Sequence, residues 1–484
     1  MRELEGYRKA MECLPSQIAE AQVQADRTEI ISIAIMNGEQ TGAQCNDVTE
    51  LFIRVLVETE EGKKEGFYYT QNLEEEPKEV LSQAALHAYL AKDVSKERFL
   101  SFEESHMKLE GKETKDGESW DKIKKRALEL ERELNRENKN AQIMIRLIQT
   151  KETRGMVNSV SDARCIESSL FRYEAEMEIA EEEFNVPYFY GCSQSSERLE
   201  DLSHDFFQKK IEKWRGMRLK QGKLEAGEYP VVLDCEVTAN LFETAWQMFT
   251  GKNYLSGSTP YAGKKGKAVM SSVLCIKNMP SVPEGGYRYG VDCEGVPVRP
   301  LILSENGILK NLLHTIATAD AMKEEPTGTA GRKALLSGNI HTEIIPVPAN
   351  FRIEKGERST EDLLKTMGDG IYIFESFDVF HSINIASGEF HVPCKGIIVK
   401  NGVKEAVVEG ITINGTIQDL LMSVEEVGRE IQVRPMDLLK SYTVCTPAYN
   451  GFKSYRISVV SPKSSFKYWY ALGKFFCRIE SRMI

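Results

Sequence analysis

Two acidic residues separated by one position are the first candidates for chemistry in this sequence. Asp292 and Glu294 lie in the segment VDCEGVPVRP, and on a strand their side chains would share one face. A close pair of carboxyl groups can divide the work of a general acid and a general base. Solvated acids also collect in the loop before a hairpin, so the pair alone does not specify a reaction.

Histidine and cysteine provide a second candidate group, formed by His381, His391 and Cys394. A cysteine nucleophile needs a histidine within hydrogen-bonding reach. His391 and Cys394 are three residues apart, which places them on opposite faces of a strand. We therefore interpret the three as unrelated surface or core residues. The sequence contains no His-Glu dipeptide, so the zincin pattern is absent throughout.

The third candidate for a functional site is a predicted strand and helix in Gly227–Gly251. The apolar run Pro230–Leu233 predicts a short strand, Asp234 predicts the N-cap of the helix, and Gly251 predicts its end. Apolar residues recur at helical spacing on one face. The opposite face carries the polar residues Glu236, Asn240, Glu243 and Gln247. By itself this pattern indicates a core helix with one solvent-facing side.

Three segments of the C-terminal half resemble the TldD/PmbA family, cytoplasmic bacterial proteins usually described as metallopeptidases. Val291–Leu313, VDCEGVPVRPLILSENGILKNLL, is similar to the family's acidic residue, E-G-V-P-T-R, apolar strand and E-N-G-V-L-K. Thr327–Arg332 resembles its T-G-x-x-R segment with one more residue before the arginine, and Val427–Ile431 resembles V-G-x-x-I/L. The resemblance is nearly continuous from Glu228 to about Val460.

The resemblance also implies where the family's metal site would lie. In the metal-binding branch the helix that follows the strand carries H-E-x-x-x-H, with two zinc ligands and a glutamate that takes a proton from the bound water. The corresponding residues here are Phe242, Glu243 and Gln247, so the glutamate is present and both histidines are absent. Cys445, in TVCTP, lies where that branch supplies a cysteine ligand, and burial in the core is the alternative. The resemblance thus implies a degenerate site with no catalytic and no metal-binding residue.

Composition and charge limit the classes of function. A chain of 484 residues with 41% hydrophobic and 28% charged residues is typical of a globular protein with two domains. The net charge of −11 argues against a nucleic-acid surface. No apolar run predicts a membrane span, and no signal peptide is recognisable. The scattered cysteines predict reduced thiols in the cytoplasm. Lys252–Lys267 lacks the spacing of a phosphate-binding loop.

The pattern of predicted elements indicates an α+β fold with two domains. Residues 1–225 predict an antiparallel sheet with helices, interrupted by a charged connection at about 92–119. Residues 226–460 predict a mostly antiparallel β domain with a few helices, and residues 461–484 form an aromatic, basic tail. Asn-Gly pairs predict turns at 37–38, 306–307, 401–402 and 414–415.

Three helical segments carry further expectations. Met1–Asp26 has a helical period broken at Pro15. Trp120–Asn138 predicts a helix that packs on the first sheet, with a partner helix as the alternative. We expect the tail, Phe466–Ile484, to pack on the body or to fray, and a short amphipathic segment on a membrane surface is the alternative.

The resemblance implies the PmbA/TldE-type branch, whose members lack the zinc-binding histidines. The implied function is the non-catalytic subunit of a TldD/TldE-type cytoplasmic metallopeptidase that processes or degrades peptides. The zinc would be held by a TldD-type partner, and this chain would hold no cofactor. The alternatives are a homodimeric peptide- or ligand-binding protein without catalysis, and an independent peptidase with an unfamiliar site.

Overall fold

Two β-sheets organise the chain, one in each half. The structure, a computed structural model, describes residues 3–92, 94–95, 97–102, 120–139, 142–161, 166–180, 189–191, 203–215, 219–283, 290–332, 343–435, 443–450 and 455–459. The tail at 461–484 and most of the charged connection lie outside these residues, so their predictions stay predictions.

The first sheet is antiparallel throughout, with the strand order β3-β2-β1-β4-β5-β6. Its strands are β1 (Ile18–Met36), β2 (Glu39–Thr59), β3 (Gly62–Thr70), β4 (Gln142–Asn158), β5 (Ile166–Ala180) and β6 (Phe189–Gly191). The predicted turn at Asn37-Gly38 joins β1 to β2, and both residues have positive φ, 56° and 75°. Positive φ at both central positions suits the right-handed twist of a hairpin.

Four helices accompany the first sheet: α1 (Glu3–Met11), α2 (Pro77–Leu90), α3 (Trp120–Glu137) and α4 (His204–Arg215). One face of β1 and β2 packs against α1 and α2 and forms a buried core. Gly66 allows this packing, because a Cβ atom there would lie 2.0 Å from the carbonyl oxygen of Ala84 in α2. Farther along the strands, α3 packs on β1 and β4 and buries Leu130 and Leu134. This confirms the prediction that α3 packs on the sheet.

Within the described residues the second sheet has thirteen strands and is mostly antiparallel. Its strands are β7 (Lys220–Gln221), β8 (Gly227–Tyr229), β9 (Val231–Leu233), β10 (Ile276–Met279), β11 (Leu301–Glu305), β12 (Ile308–Leu309), β15 (Asn350–Ile353), β16 (Gly370–Ser376), β17 (Glu389–Lys400), β18 (Val403–Thr416), β19 (Glu426–Pro435), β20 (Thr443–Asn450) and β21 (Tyr455–Val459). A separate two-stranded sheet contains β13 (Ala330–Arg332) and β14 (Ile344–Pro346). Three strand pairs are parallel: β9 with β16, β15 with β20, and β7 with β18.

The helices of the C-terminal half are short, and the largest buried core lies between them and the second sheet. They are α5 (Cys235–Ala245), α6 (Gly251–Ser256), α7 (Ile316–Met322), α8 (Thr360–Met367), α9 (Val379–Ser382) and α10 (Ile417–Met422). An antiparallel sheet with helices in one half and a sheet-dominated half with few helices confirm the predicted α+β class. No helix in the described part of the chain is long and apolar enough to span a membrane.

Three local predictions were wrong. The helical period of Met1–Asp26 ends early, because β1 begins at Ile18 and its residues from Ala21 to Ala25 are all buried between packed layers. Gly251 does not end a helix; α5 stops at Ala245, a 3-10 turn follows, and Gly251 starts α6. Asn414-Gly415 is not a turn, since β18 continues through it and pairs with β17 and β21.

A buried ion cluster joins the two halves of the molecule. Arg54, on β2, has a side chain that is only 2% exposed and lies 2.7 Å from Glu65 and 3.4 Å from Glu97. Its other terminal nitrogen lies 3.7 Å from Glu294 of the C-terminal half. Burying an arginine is tolerated only when carboxylates compensate its charge. The two halves therefore share one electrostatic centre.

A short segment, Glu97–Phe102, lies between the two halves and contacts both. Arg98 forms a bidentate ion pair with Asp320 of α7, with distances of 2.9 and 3.0 Å. On the other side, the carbonyl oxygen of Leu100 accepts a hydrogen bond of 2.7 Å from Asn158. Phe102 packs against Met156 and Val291, one from each half. This segment helps to fix the two sheets relative to each other.

Three carboxylates around one guanidinium leave an excess of buried negative charge. Burial and the neighbouring charge of Glu294 raise the pKa of Glu97 to about 8, although Arg54 opposes the rise. Burial likewise raises the pKa of Glu294 to about 7, again against the effect of Arg54. Both values exceed the ordinary glutamate value near 4.3. The folded protein therefore keeps protons here that the unfolded chain releases.

We predict that the pH dependence of stability reports this cluster. Between pH 5 and pH 9 the folded state binds more protons than the unfolded chain, so the free energy of unfolding falls as pH rises. Glutamine resembles the neutral, protonated form of Glu97 at every pH. We therefore expect Glu97→Gln to reduce the decrease in the free energy of unfolding between pH 5 and pH 9 by roughly 1–3 kcal/mol. Urea unfolding across this pH range measures the effect. The exposed Glu60→Gln is the control, and identical slopes for Glu97→Gln and wild type would contradict the prediction.

Candidate functional site

The helix α5 is positioned by the parallel strands β9 and β16. Asp234 follows β9 directly, and its backbone N–H donates a hydrogen bond of 2.9 Å to the carbonyl oxygen of Ile373. Its carboxylate accepts from the backbone N–H of Glu236 at 3.0 Å, which confirms the predicted N-cap. The buried hydroxyl of Tyr372 donates to the second carboxylate oxygen. Burial and this carboxylate raise the pKa of Tyr372, so the hydroxyl stays a donor.

Phe242, which the resemblance aligns with the first missing histidine, belongs to the core. Its side chain has no exposed surface, and its ring stacks on Phe351 of β15 with a centroid distance of 5.4 Å and an interplanar angle of 25°. Phe249 contacts the same ring at 5.8 Å. Offset aromatic pairs at these separations stabilise a core beyond the area they bury. The side chain at position 242 is therefore a packing residue.

Glu243 and Gln247 lie on the half-buried polar side of α5 and its following turn, as the helical period predicts. The same side carries Asn240, whose amide donates a hydrogen bond of 2.9 Å to Ser376 at the end of β16. The carbonyl oxygen of Gln247 accepts from the Thr250 hydroxyl and from the Asn253 amide, both at 2.9 Å. These hydrogen bonds stabilise the backbone between the end of α5 and the start of α6.

Cys445 lies on β20, which packs against α5. Its backbone is opposite Arg352 of β15 and Val433 of β19. The next residue, Thr446, donates a hydrogen bond of 3.1 Å from its hydroxyl to the carbonyl oxygen of Cys235, at the start of α5. The strand that carries Cys445 thus packs directly against the helix that carries Phe242 and Glu243.

The side chains at positions 242 and 247 are not suitable ligands for a zinc ion. Zinc takes imidazole nitrogen, thiolate sulfur or carboxylate oxygen in a tetrahedral arrangement. Position 242 offers an aromatic hydrocarbon in the core, and position 247 offers an amide. Within the described ranges, no three His, Cys, Asp or Glu side chains form a group that could hold a metal ion. We derive no chemical step through a metal in this chain.

Asp292 and Glu294, the acidic pair of the sequence, have separate structural contacts. Asp292 accepts from the backbone N–H groups of Glu294 and Val296 at 2.8 and 2.9 Å, and from that of Ala330 at 2.9 Å. Burial raises its pKa to about 6, against the effect of these hydrogen bonds. Glu294 accepts from the backbone N–H of Ile316, at the start of α7, at 2.8 Å. The pair holds loops and helix ends together instead of facing a common reactant.

His391 and Cys394 lie on opposite faces of β17, as predicted. His391 is exposed and pairs with Asn414 at 2.8 Å, while Cys394 is buried and burial raises the pKa of its thiol to about 12. His381 lies on α9 and contacts Asp378 at 2.5 Å. A thiol that remains protonated and faces away from the histidine is not an activated nucleophile.

One polar group at the start of α6 has no signal in the sequence. His314 is 1% exposed, and its Nε2 atom lies 3.4 Å from Glu324, which also pairs with Lys265 at 2.5 Å. Burial lowers the pKa of His314. Gly251 makes room for this ring, since a Cβ atom at 251 would lie 2.3 Å from Nδ1. Only the folded chain brings these residues together, so spacing could not reveal them.

Arg332 forms another contact between the two halves. Its motif was recognisable in the sequence, but its contacts were not. Its guanidinium lies over the ring of Phe52 at 4.1 Å and donates a hydrogen bond of 3.2 Å to Gln24. Close by, the amide of Gln22 donates to the carbonyl oxygen of Cys293 at 2.9 Å. The motif residues of the C-terminal half therefore contact the first sheet.

Comparisons with known proteins agree with these motifs. Residues 226–465 match the family model described as the PmbA/TldA metallopeptidase C-terminal domain. A metalloprotease of Archaeoglobus fulgidus is 27% identical over 216 residues, which are 43% of this chain and 47% of that protein. Metalloprotease PmbA of Escherichia coli O157:H7 is 28% identical over 217 residues, 45% of this chain and 44% of that protein. The chain thus aligns with about half the length of these relatives.

The fold is similar over nearly the whole chain. The crystal structure of TldE from Thermococcus kodakarensis superposes with a TM-score of 0.76 at 21% identity, covering 94% of this chain and all of that one. At this level of identity the likeness concerns the fold. The family model and the named relatives lead to one conclusion: the chain belongs to the TldD/PmbA family.

Proposed function

We propose that this chain is the non-catalytic, PmbA/TldE-type subunit of a two-chain metallopeptidase that acts on peptides. The observation that carries the proposal is Phe242, which is fully buried and stacked on Phe351 where a zinc-binding member needs a histidine. In this proposal the zinc and the reacting water belong to a TldD-type partner. This chain contributes its fold, its polar α5 surface and the surface that meets the partner, in the cytoplasm.

The polar side of α5 supports a role as part of a cleft wall. Glu236, Asn240 and Glu243 of α5 and Gln247 of the turn that follows it line one side of a segment whose other side is core, and all four are half-buried. Such a surface can donate and accept hydrogen bonds to an extended peptide backbone without performing chemistry. The same surface suits the second candidate, a homodimeric peptide-binding protein, which differs in the identity of the partner.

Metal content and cleavage test the proposal directly. We expect the pure chain to bind no stoichiometric zinc and to cleave no peptide. Expressed together with a TldD-type sister chain, it should form a stoichiometric complex that contains zinc and loses activity with a chelator. Chelator-sensitive cleavage by the pure chain would contradict the proposal. A stable self-dimer that does not exchange with the sister chain would favour the homodimeric candidate.

A substitution at Glu243 tests whether this chain's glutamate acts in catalysis. Because position 242 cannot hold a metal beside it, we expect Glu243→Gln to change the kcat of the complex by less than about twofold. The matched control is the same change in the H-E-x-x-x-H glutamate of the sister chain, where we expect at least about a 100-fold loss. Equal losses from the two substitutions would show that Glu243 is catalytic.

Phe242 should behave as a core residue. We expect Phe242→Ala to lower the free energy of unfolding by about 3–5 kcal/mol, because it leaves a cavity against Phe351. Phe242→Leu keeps most of the volume and should cost less than about 1.5 kcal/mol. The exposed Phe380→Ala is the control, with an expected change within about 0.5 kcal/mol. Chemical denaturation measures all three, and a small effect of Phe242→Ala would contradict its structural role.

A further inference from the structure

The first sheet has a long edge that no described strand covers. β2 pairs with β1 along nearly its whole length, from Glu39 to Val57. On its other side β3 pairs only with Leu51–Thr59. For Glu39–Thr49, no strand in the described part of the chain lies against the outer side of β2. At about 3.4 Å per residue this open edge, the β2 edge, is roughly 35 Å long.

The β2 edge lacks most of the features that normally protect an edge strand. Natural edges carry prolines, lysines or bulges that prevent another strand from pairing. Glu39–Thr49 contains no Pro, Lys or Arg. Within this edge one register shift lies near the turn: Gln40 is opposite Ile35 and Gly42 is opposite Ala34, so Thr41 is an extra residue in β2, and pairing then continues without interruption from Gly42 to Leu56. Small exposed side chains such as Thr41, Gly42 and Ala43 leave the backbone accessible.

The β2 edge is also held rigid from behind. The backbone N–H of Gly38 in the turn donates to the Glu131 carboxylate of α3, with distances of 3.1 and 3.2 Å. Arg27 on β1 forms two hydrogen bonds with Asp47, at 2.9 and 2.7 Å. Ile33 and Ile35 of β1 are buried, with exposures of 1% and below. An edge that is already ordered loses little entropy when a strand adds to it.

Charge decides which strand fits. Glu39–Glu50 carries the acids Glu39, Asp47 and Glu50 and no basic residue. In a two-fold dimer the edges of two copies would pair antiparallel, so acidic segments would face each other, and Arg27 would compensate Asp47 but not Glu39 or Glu50. The net charge of −11 adds repulsion between copies. A segment with lysine or arginine removes this repulsion and adds ion pairs.

We propose that the β2 edge binds an extended, basic segment of a second, different polypeptide by strand addition. Along an antiparallel strand, every second residue points both its N–H and its C=O away from the neighbour already paired. The added strand would satisfy these groups along Glu39–Thr49, and its basic side chains would lie beside the acids of the edge. This binding surface is separate from α5 and goes beyond the function proposed above.

A labelled peptide tests the proposal on the full single chain, without any sister chain. The probe is the nine-residue peptide Lys-Thr-Val-Thr-Lys-Thr-Val-Thr-Lys, and the control peptide has Glu in place of each Lys. We expect the lysine peptide to bind at least about tenfold more tightly by fluorescence anisotropy. Hydrogen exchange should show protection of alternate amides within Glu39–Thr49 only when the lysine peptide is present.

Two variants of equal charge separate the edge from general electrostatics. The double variant Glu39→Lys with Thr41→Lys places cations on the edge and should weaken the lysine peptide by about tenfold. Glu60→Lys with Thr59→Lys makes the same charge change beyond the β2 edge, beside the turn that leads into β3, and should change binding by less than about twofold. Circular dichroism confirms that each variant is folded.

The outcomes are distinct. Protection of the β2 edge by the lysine peptide, lost in the edge variant, supports the proposal. Binding without protection of Glu39–Thr49, equal binding of both peptides, or no binding overturns it. Protection that appears in the chain alone and rises with protein concentration also overturns it, because the occupant is then a second copy. Because no sister chain or zinc is involved, failure here leaves the metallopeptidase proposal unaffected.

Discussion

The burial of Arg54 is the interaction on which the arrangement of the two halves depends. A guanidinium removed from water needs carboxylates close by, and here no single half supplies them all. Glu65 comes from the first sheet, Glu97 from the segment between the halves, and Glu294 from the C-terminal half. Removing any one element would leave a buried charge with too few partners. The two halves therefore define each other's position.

Glu294 extends this dependence into the C-terminal half. It faces Arg54 and also accepts a hydrogen bond from the first turn of α7. The far end of α7 is followed by Glu324, which pairs with Lys265 and lies beside the buried His314. His314 in turn packs against Gly251, where α6 begins. Direct contacts thus connect the junction of the two halves, through α7 and His314, to Gly251. This glycine follows the segment that carries Phe242 and Gln247.

Local chemistry made much of the fold predictable. Asn-Gly pairs at 37–38, 306–307 and 401–402 adopt the positive φ values that hairpins require, and Asp234 caps α5 as its type suggests. The exceptions have tertiary causes. Asn414-Gly415 stays extended because strands pair with it on both sides, and residues 21–25 form a strand because the first sheet buries both of its faces there. Propensity is overruled where packing contributes more.

The site was predictable only in part, for a related reason. Helical spacing was enough to place Glu243 and Gln247 on the polar side of α5 and the turn that follows it. Nothing in the spacing could show that Phe242 would meet Phe351, more than one hundred positions away, or that Arg54 would face Glu294. These two contacts determine the roles of position 242 and of the Asp292–Glu294 motif. The aromatic stack excludes a ligand at position 242, and the ion cluster explains why the Asp292–Glu294 motif contributes to architecture. Asp292, Glu294 and Phe242 thus have structural contacts, and we propose the polar surface of α5 and the β2 edge as the places where another polypeptide binds.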